Sequence, residues 1–302
     1  MEYRNNFFIM VGLPLFLVML TAIINFIIDP YNVNSLCELK FEKEIVSYRA
    51  NYRLYKMQAY KNAPCANIYL GDSRMDGLSL KAVEQVSGEK WFNFAYAGGT
   101  AYEVVDSFWY AVGKQALKKV VIGINFNLYN GNNHYNLTQE AISTIDNPVR
   151  YYVSYNTLRV SLANILYKYL GNNLYDETPN MDKEAFWQLQ LGKNTEYFYC
   201  RYHHPDDLQF EFSKISNYCH ENNIELVFVF PPTHSDLQHK VADFGLTEEY
   251  NRYKTEIKDL GWPVYDFDIV SDFTMDRNLY YDPYHAGDEV KNTVINTVWG
   301  RR

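Results

Sequence analysis

Three short apolar runs limit what this chain can fold into: Ala66–Leu70, KVVIGINF at 119–126 and IELVFVF at 224–230. Each is the length of a strand rather than of a core helix, and the last two are apolar enough to be buried on both faces. The segments between them carry helix start and stop signals. Ser79 caps a short predicted helix that ends near Gly88. Thr100-Ala-Tyr-Glu103 fits a capping box and opens a helix running to about Lys118. Residues 206–222 place Leu208, Phe212, Ile215 and Cys219 on one helical face. Residues 247–260 read as a helix closed by Gly261, and 287–299 as a last helix with Val290, Val294, Ile295 and Val298 inward. Weaker strands at Trp91–Ala95 and Val264–Phe267 complete the alternation. Strands alternating with helices predict an α/β fold with a parallel sheet covered on both sides. Its sites form where strands end at their carboxyl side.

A second feature precedes this pattern. Phe7–Ile28 (FFIMVGLPLFLVMLTAIINFII) contains no charged residue. As a helix it would span ~33 Å, about the hydrocarbon thickness of a bilayer. The run is too long for a signal-peptide core, and no small-x-small cleavage site follows it. The expectation is a transmembrane anchor over residues 1–29, followed by one domain over 30–302. Arg4 and the terminal amine precede the span, Asp29 follows it, and the first downstream cation is Lys40. The positive-inside tendency then places the domain outside the cytoplasm. Residues 30–64 read as a stem. Residues 128–200, rich in Tyr and Asn with one plausible helix at 156–170, read as an insertion and a candidate lid. With 302 residues, 47% hydrophobic and 17% aromatic, a large core is affordable. The net charge of -8 argues against nucleic acid, which needs a clustered basic surface.

Four polar clusters follow strand ends or precede a helix: Gly71-Asp-Ser-Arg74, Asn93 to Thr100 with Gly98-Gly99, Gly123-Ile-Asn-Phe-Asn127, and Tyr281-Asp-Pro-Tyr-His285. Serine is a weak nucleophile until a base lies within hydrogen-bond reach and a third group orients that base. Asp282 and His285 are three apart, a spacing that in a helical turn sets a carboxylate beside an imidazole. The carboxylate can hold Nδ1–H and leave Nε2 for the Ser73 proton. Oxyanion donors are expected from the Ser73 N–H, the N–H of Gly98 or Gly99, and the Asn125 amide.

On these residues the chain resembles the SGNH (GDSL-like) hydrolase family over about residues 66–300. The matching positions are Ser73 in GDSR, Gly98 or Gly99 after the second strand, Asn125 in GINF, and Asp282 with His285 in DPYH. Arg74 and Met75 replace the small residues usual after the serine, and Phe126 stands where the family often has Asp. The resemblance implies a three-layer α/β/α sandwich with a flavodoxin-like sheet and Ser-His-Asp acyl-enzyme chemistry on esters, with no cofactor. A single span before an extracytoplasmic domain also resembles proteins that O-acetylate or D-alanylate cell-surface polymers. That likeness implies an acylated glycan or cell-wall polymer as substrate and a membrane-bound O-acyltransferase as possible partner. Two other readings remain open: a non-catalytic binding or assembly protein, and a lipolytic esterase.

Several residues carry weaker signals. Arg74 could bind an anionic group or pair with Asp72 or Asp76. His234 follows the fourth strand and could contact substrate or be a plain loop histidine. His203-His-Pro-Asp-Asp207 has metal-ligand residue types but reads as a helix start, and no metal site is expected. Cys37, Cys65, Cys200 and Cys219 have no metal-like spacing and could pair outside the membrane. The tyrosines of 129–199 could stack on sugars or cover the core.

Overall fold

The computed structural model describes residues 2–34, 42–176 and 181–300. Cys37 and Lys40 lie outside the described residues. The chain divides into two compact units: Met1–Ala63 with Leu137–Thr178, and Pro64–Asn136 with Pro179–Arg302.

The second unit is built on a parallel sheet. Its strands are β1 (Asn67–Leu70), β2 (Phe92–Asn93), β3 (Lys119–Gly123), β4 (Glu225–Phe230) and β5 (Val264–Asp266), in the order β2-β1-β3-β4-β5. This is the doubly wound, flavodoxin-like order. The apolar runs read from the sequence are its three central strands. Because successive side chains alternate, each strand feeds two cores. On one face Tyr69, Val121, Val227 and Val229 meet Val83 of the Leu80–Ser87 helix and Val294, Ile295 and Trp299 of the Asp288–Trp299 helix. Trp299 packs edge-on against both Tyr69 and Trp91, at 5.7 and 5.8 Å. On the other face Phe228 meets Phe212 of the Asp206–Glu221 helix, and Phe230 meets Tyr253 of the Thr247–Lys258 helix. Two helical layers on one sheet give the α/β/α sandwich.

Local signals fix most boundaries. Ser79 caps Leu80–Ser87, which ends at Gly88 with φ of 71°. Thr100 and Glu103 form a complete capping box on Ala101–Val112. That helix stops at Gly113 and does not reach the expected Lys118. The third strand also ends early, at Gly123. There the Asn125 Oδ1 accepts the N–H of Asn127 and Leu128, both at 3.1 Å, and turns the chain out of the sheet. A helix absent from the sequence reading, Ser235–Asp243, follows β4. The last two strands, β6 (Tyr280–Asp282) and β7 (His285–Ala286), form a separate antiparallel hairpin.

Among the described residues, the regular elements of the first unit are all helices. Its N-terminal helix is Glu2–Ile28, and Met10–Ile28 is long and apolar enough to cross a membrane. Lys43 donates to the carbonyls of Ile28 and Asp29, placing a cation on the helix C-terminus. The Asp29 carboxylate accepts from the Val33 and Asn34 N–H and the Tyr151 hydroxyl. The region expected as one insertion is divided. Leu137–Thr178, with helices Thr138–Ile145, Pro148–Val153 and Tyr155–Leu170, groups with the N-terminal helix. Helices Lys183–Leu189 and Thr195–Tyr199 group with the sheet. Asn147 and Asp182 cap helices that the Tyr- and Asn-rich composition had concealed.

Candidate active site

At the end of β1 the chain turns sharply through Gly71, whose φ is 149°. A Cβ at Gly71 would lie 2.5 Å from Met75 Cγ, and one at Gly123 only 2.1 Å from the same atom. The two glycines therefore make room for the large Met75 beside the turn. Asp72 caps the short helix Ser73–Asp76 by accepting the Arg74 N–H at 2.9 Å. Ser73 thus sits at the first helical position, where the backbone N–H has no intrahelical acceptor.

Asp72 is the hub of this turn. Its Oδ2 accepts from Arg74 Nη2 at 2.7 Å, Arg74 Nε at 3.0 Å and Asn125 Nδ2 at 2.9 Å. Burial pushes its carboxyl pKa up, but the Arg74 guanidinium more than reverses this, and the net displacement is below the usual carboxylate range. Arg74 is accordingly turned inward onto Asp72, with side-chain exposure of 7%, and is engaged by that ion pair. Of the alternatives open for Arg74, pairing with Asp72 is the one observed, and the part Asp72 plays as cap and hub of the turn goes beyond that pairing. Its signal is an N-cap aspartate followed two residues later by an arginine.

The hairpin supplies the second half of the site. Asp282 Oδ1 accepts the N–H of Tyr284 and His285, at 2.8 and 3.1 Å. Its Oδ2 lies 2.7 Å from His285 Nδ1. The three-residue spacing works through a turn between antiparallel strands, not through the helical turn expected from the sequence. The peptide N–H groups make the difference: Asp282 holds the turn and the imidazole together. With Nδ1–H donated to Asp282, Nε2 carries the lone pair, and it lies 2.7 Å from Ser73 Oγ. Asp282 is buried and His285 half-exposed. The hairpin is braced by a hydrogen bond between Tyr284 OH and Thr195 Oγ1 at 3.0 Å, and by the His234 N–H donating to Pro283 O at 2.9 Å.

The remaining expected residues fall as follows. Gly98 has φ of 59° at the turn after β2, and its carbonyl accepts the Tyr135 hydroxyl. The Gly99 N–H is spent on the Tyr96 carbonyl at 2.9 Å, so it offers no donor to a ligand. Asn125 is buried, and Asp72 takes one of the two hydrogens on its Nδ2. His234 is 2% exposed, with Nδ1 accepting the Asp236 N–H and Nε2 donating to Met275 O. It caps Ser235–Asp243 and packs edge-on against Trp187 and Tyr280. Phe126, at the family's frequent Asp position, packs among Tyr199, Tyr202, Tyr250 and Tyr253. The helix start read at 203–207 is observed at Asp206. Among the described residues, Cys200 and Cys219 are free thiols.

Ser73, Asp282 and His285 open on a cavity of about 310 Å³. Its walls are largely apolar, from Met75, Leu78, Pro231, Pro232, Ala286 and Val294, with Tyr281 and Lys291 adding polar groups. They come from the Ser73–Asp76 helix and the residues just after it, the loop after β4, the hairpin and the last helix, so no single stretch of sequence marks them as one wall.

The chain is similar to GDSL-type acylhydrolases of known structure. One is a GDSL-like lipase from Bacteroides thetaiotaomicron, with 11% identity and a TM-score of 0.41 over 83% of this chain and 98% of that one. Another is a provisionally assigned acylhydrolase from Bacteroides fragilis, with 12% identity and a TM-score of 0.42 over 83% of this chain and 98% of that one. No family model matches the sequence, and no curated protein matches it. At these identities the likenesses transfer no residue roles.

Proposed function

We propose that this chain is a membrane-anchored serine hydrolase or acyltransferase of the SGNH type, acting on acyl esters. The observation that carries the reading is the continuous chain Ser73 Oγ, His285 Nε2, His285 Nδ1, Asp282 Oδ2, with both links at 2.7 Å. In the proposed reaction Ser73 Oγ attacks the ester carbonyl while His285 Nε2 takes its proton. The imidazolium, held by Asp282, returns that proton to the leaving alcohol oxygen as the tetrahedral intermediate collapses to the acyl-enzyme. A water or a second alcohol then attacks, loses its proton to His285, and releases Ser73. The Ser73 N–H, the Gly98 N–H and the second hydrogen of Asn125 Nδ2 would stabilise the oxyanion. Water gives a free acid; a sugar hydroxyl gives an acylated glycan. The glycan as acceptor, and a membrane-bound O-acyltransferase as partner, rest on the sequence resemblance.

The apolar walls of the cavity favour a second reading of the acyl group. An acetyl fills little of about 310 Å³, a volume at the lower end for small-molecule sites, so a longer acyl chain has room. A lipolytic esterase would use that room.

The anchor reading is supported by how the N-terminal helix ends. Asn25 is fully buried, donates to the Tyr152 and Ser154 carbonyls, and accepts from Ser161. Removing residues 1–29 by cleavage would forfeit these bonds, at ~0.5–1.5 kcal/mol each. These bonds support retention of the helix, and the charge flanks support an enzyme domain outside the cytoplasm.

The test is turnover of p-nitrophenyl esters of increasing chain length by the full chain in detergent, beside Ser73→Ala and His285→Ala. Turnover lost in both variants, with Ser73 labelled by a fluorophosphonate in the wild type, is expected. An inert, unlabelled wild type would replace this reading with the binding or assembly role. The chain-length optimum separates acetyl from longer acyl groups.

A further inference from the structure

The Tyr155–Leu170 helix is amphipathic in the wrong sense for water. Its buried residues are Thr157, Val160, Ser161, Ala163 and Asn164, small or polar in all but one case. The hydroxyl and amide groups are paired inside: Ser161 Oγ donates to Asn25 Oδ1 at 2.9 Å, and Asn164 Nδ2 donates to Ser47 Oγ at 3.1 Å. The exposed face carries an apolar stripe in its C-terminal half, with Asn156, Arg159 and Lys168 exposed beside it. Leu162, Leu166 and Tyr169 follow one another at helical spacing, with Leu170 beside them, and are 41–75% exposed. Val149 and Val153 of the preceding helix are exposed as well. A helix facing water buries its apolar stripe and exposes its polar one. Polar groups joined between helices, with leucines turned outward, is the arrangement used against lipid.

The same unit indicates what covers this stripe. Ser161 bonds directly to Asn25 of the N-terminal helix, whose residues from Met10 to Leu20 are themselves largely exposed and apolar. Asn25 lies one turn before the end of that helix at Ile28, where a spanning helix leaves the hydrocarbon. The Tyr155–Leu170 helix therefore crosses the N-terminal helix at the depth of a membrane surface. At ~24 Å it is too short to span. From Pro148 to Leu170 the chain has Arg150, Arg159 and Lys168 and no Asp or Glu, in a protein of net charge -8. Arg150 is paired with Glu140 and Ser143, but Arg159 and Lys168 are exposed beside the apolar stripe, and such cations suit an anionic lipid surface, with their stems lying along it and their heads in water.

We propose that the outward stripe of Leu162, Leu166, Tyr169 and Leu170 is seated in the headgroup–acyl boundary of the bilayer that the N-terminal helix enters. The inference rests on reading that helix as a membrane anchor. It makes Leu137–Thr178 part of a membrane-docking unit rather than an appendage of the enzyme domain.

The experiment uses the full chain with its native cysteines replaced and single cysteines introduced as Leu162→Cys, Leu166→Cys and, in the anchor, Leu17→Cys. Each is labelled with the fluorophore NBD and reconstituted into vesicles of phosphatidylcholine and phosphatidylglycerol containing spin-labelled lipid. The expected result at 162 and 166 is blue-shifted emission, quenched more by lipids labelled near the headgroup than by those labelled deep in the chain. Leu17→Cys should show the reverse depth preference. Water-like emission at 162 and 166 with lipid quenching at 17 would overturn the inference and leave the anchor standing. Blue-shifted but unquenched emission at 162 and 166 would overturn it in favour of a protein cover, a second copy or another chain. Absence of lipid quenching at 17 would overturn the anchor reading, and the inference with it.

Discussion

His285 and His234 each sit beside a carboxylate, and the structure uses them differently. His285 keeps Nδ1 on Asp282 and turns Nε2 to the hydroxyl of Ser73, with its side chain 35% exposed at the cavity. His234 has both nitrogens tied to the backbone, at Asp236 N–H and Met275 O, and is 2% exposed. Its carboxylate neighbour Asp236, with Oδ2 3.4 Å from Nδ1, instead accepts the Trp187 indole N–H at 3.0 Å. The lesson is one of spare valence. An imidazole can move protons when one nitrogen faces a group that reacts; one whose nitrogens are both spent on the backbone holds a fold.

The contrast breaks most visibly at the first site. Ser73→Ala or His285→Ala should lower kcat/KM by ~10⁵–10⁶, as for residues that act as a unit, with an unchanged circular dichroism spectrum. Loss of less than tenfold would remove His285 from proton transfer. Asp282→Asn should cost ~10⁴, since an amide no longer selects the Nδ1–H tautomer; single-turnover kinetics would read this. Asn125→Ala should cost ~10²–10³ in kcat if the amide serves the oxyanion. That variant also removes a donor to Asp72, so its melting temperature must be followed alongside.

The smallest effect sharpens the other half. His234→Asn keeps an N-cap acceptor and should leave kcat/KM within a few-fold of the wild type, while costing ~1–2 kcal/mol of stability. Burial, opposed by Asp236, holds the His234 pKa below the ordinary 6.5. A depressed histidine pKa gives stability that is fully present above pH 6.5 and lost as the pH falls, because the unfolded chain takes up the proton first. Urea denaturation at pH 7.5 and 5.5 should therefore show a larger drop for the wild type than for His234→Asn. An equal drop would mean that His234 does not contribute to acid sensitivity.

The sequence reading treated both histidines as site candidates for a plain reason. His285 stands in the DPYH cluster before the last helix and His234 just past the fourth strand, and nothing within five residues of His234 tells that Met275 will accept from it. The DPYH spacing was legible, but its geometry was not: the same three-residue offset serves a helical turn or a hairpin turn, and the Tyr284 and His285 N–H groups chose the hairpin. The Gly98-Gly99 pair is likewise unreadable along the chain, since nothing local shows that the Gly99 N–H pairs with the Tyr96 carbonyl. The short helices at 138–153 and 183–199 were lost among tyrosines and asparagines, which carry little periodicity.

The amino-acid sequence alone determined the elements whose causes are local: three buried strands, the capping box at Thr100 and Glu103, the stop at Gly88, and a terminal helix apolar on every side. Such signals act within a few residues, through backbone hydrogen bonds and side-chain periodicity. The tertiary structure decided what spans distance. It brought Ser73 to His285 across 212 residues of chain, tied His234 to the Met275 carbonyl across 41 residues, and joined Asn25 to Ser161 across 136 residues. Those pairings depend on strand order and helix packing, and no pattern along the chain encodes them singly.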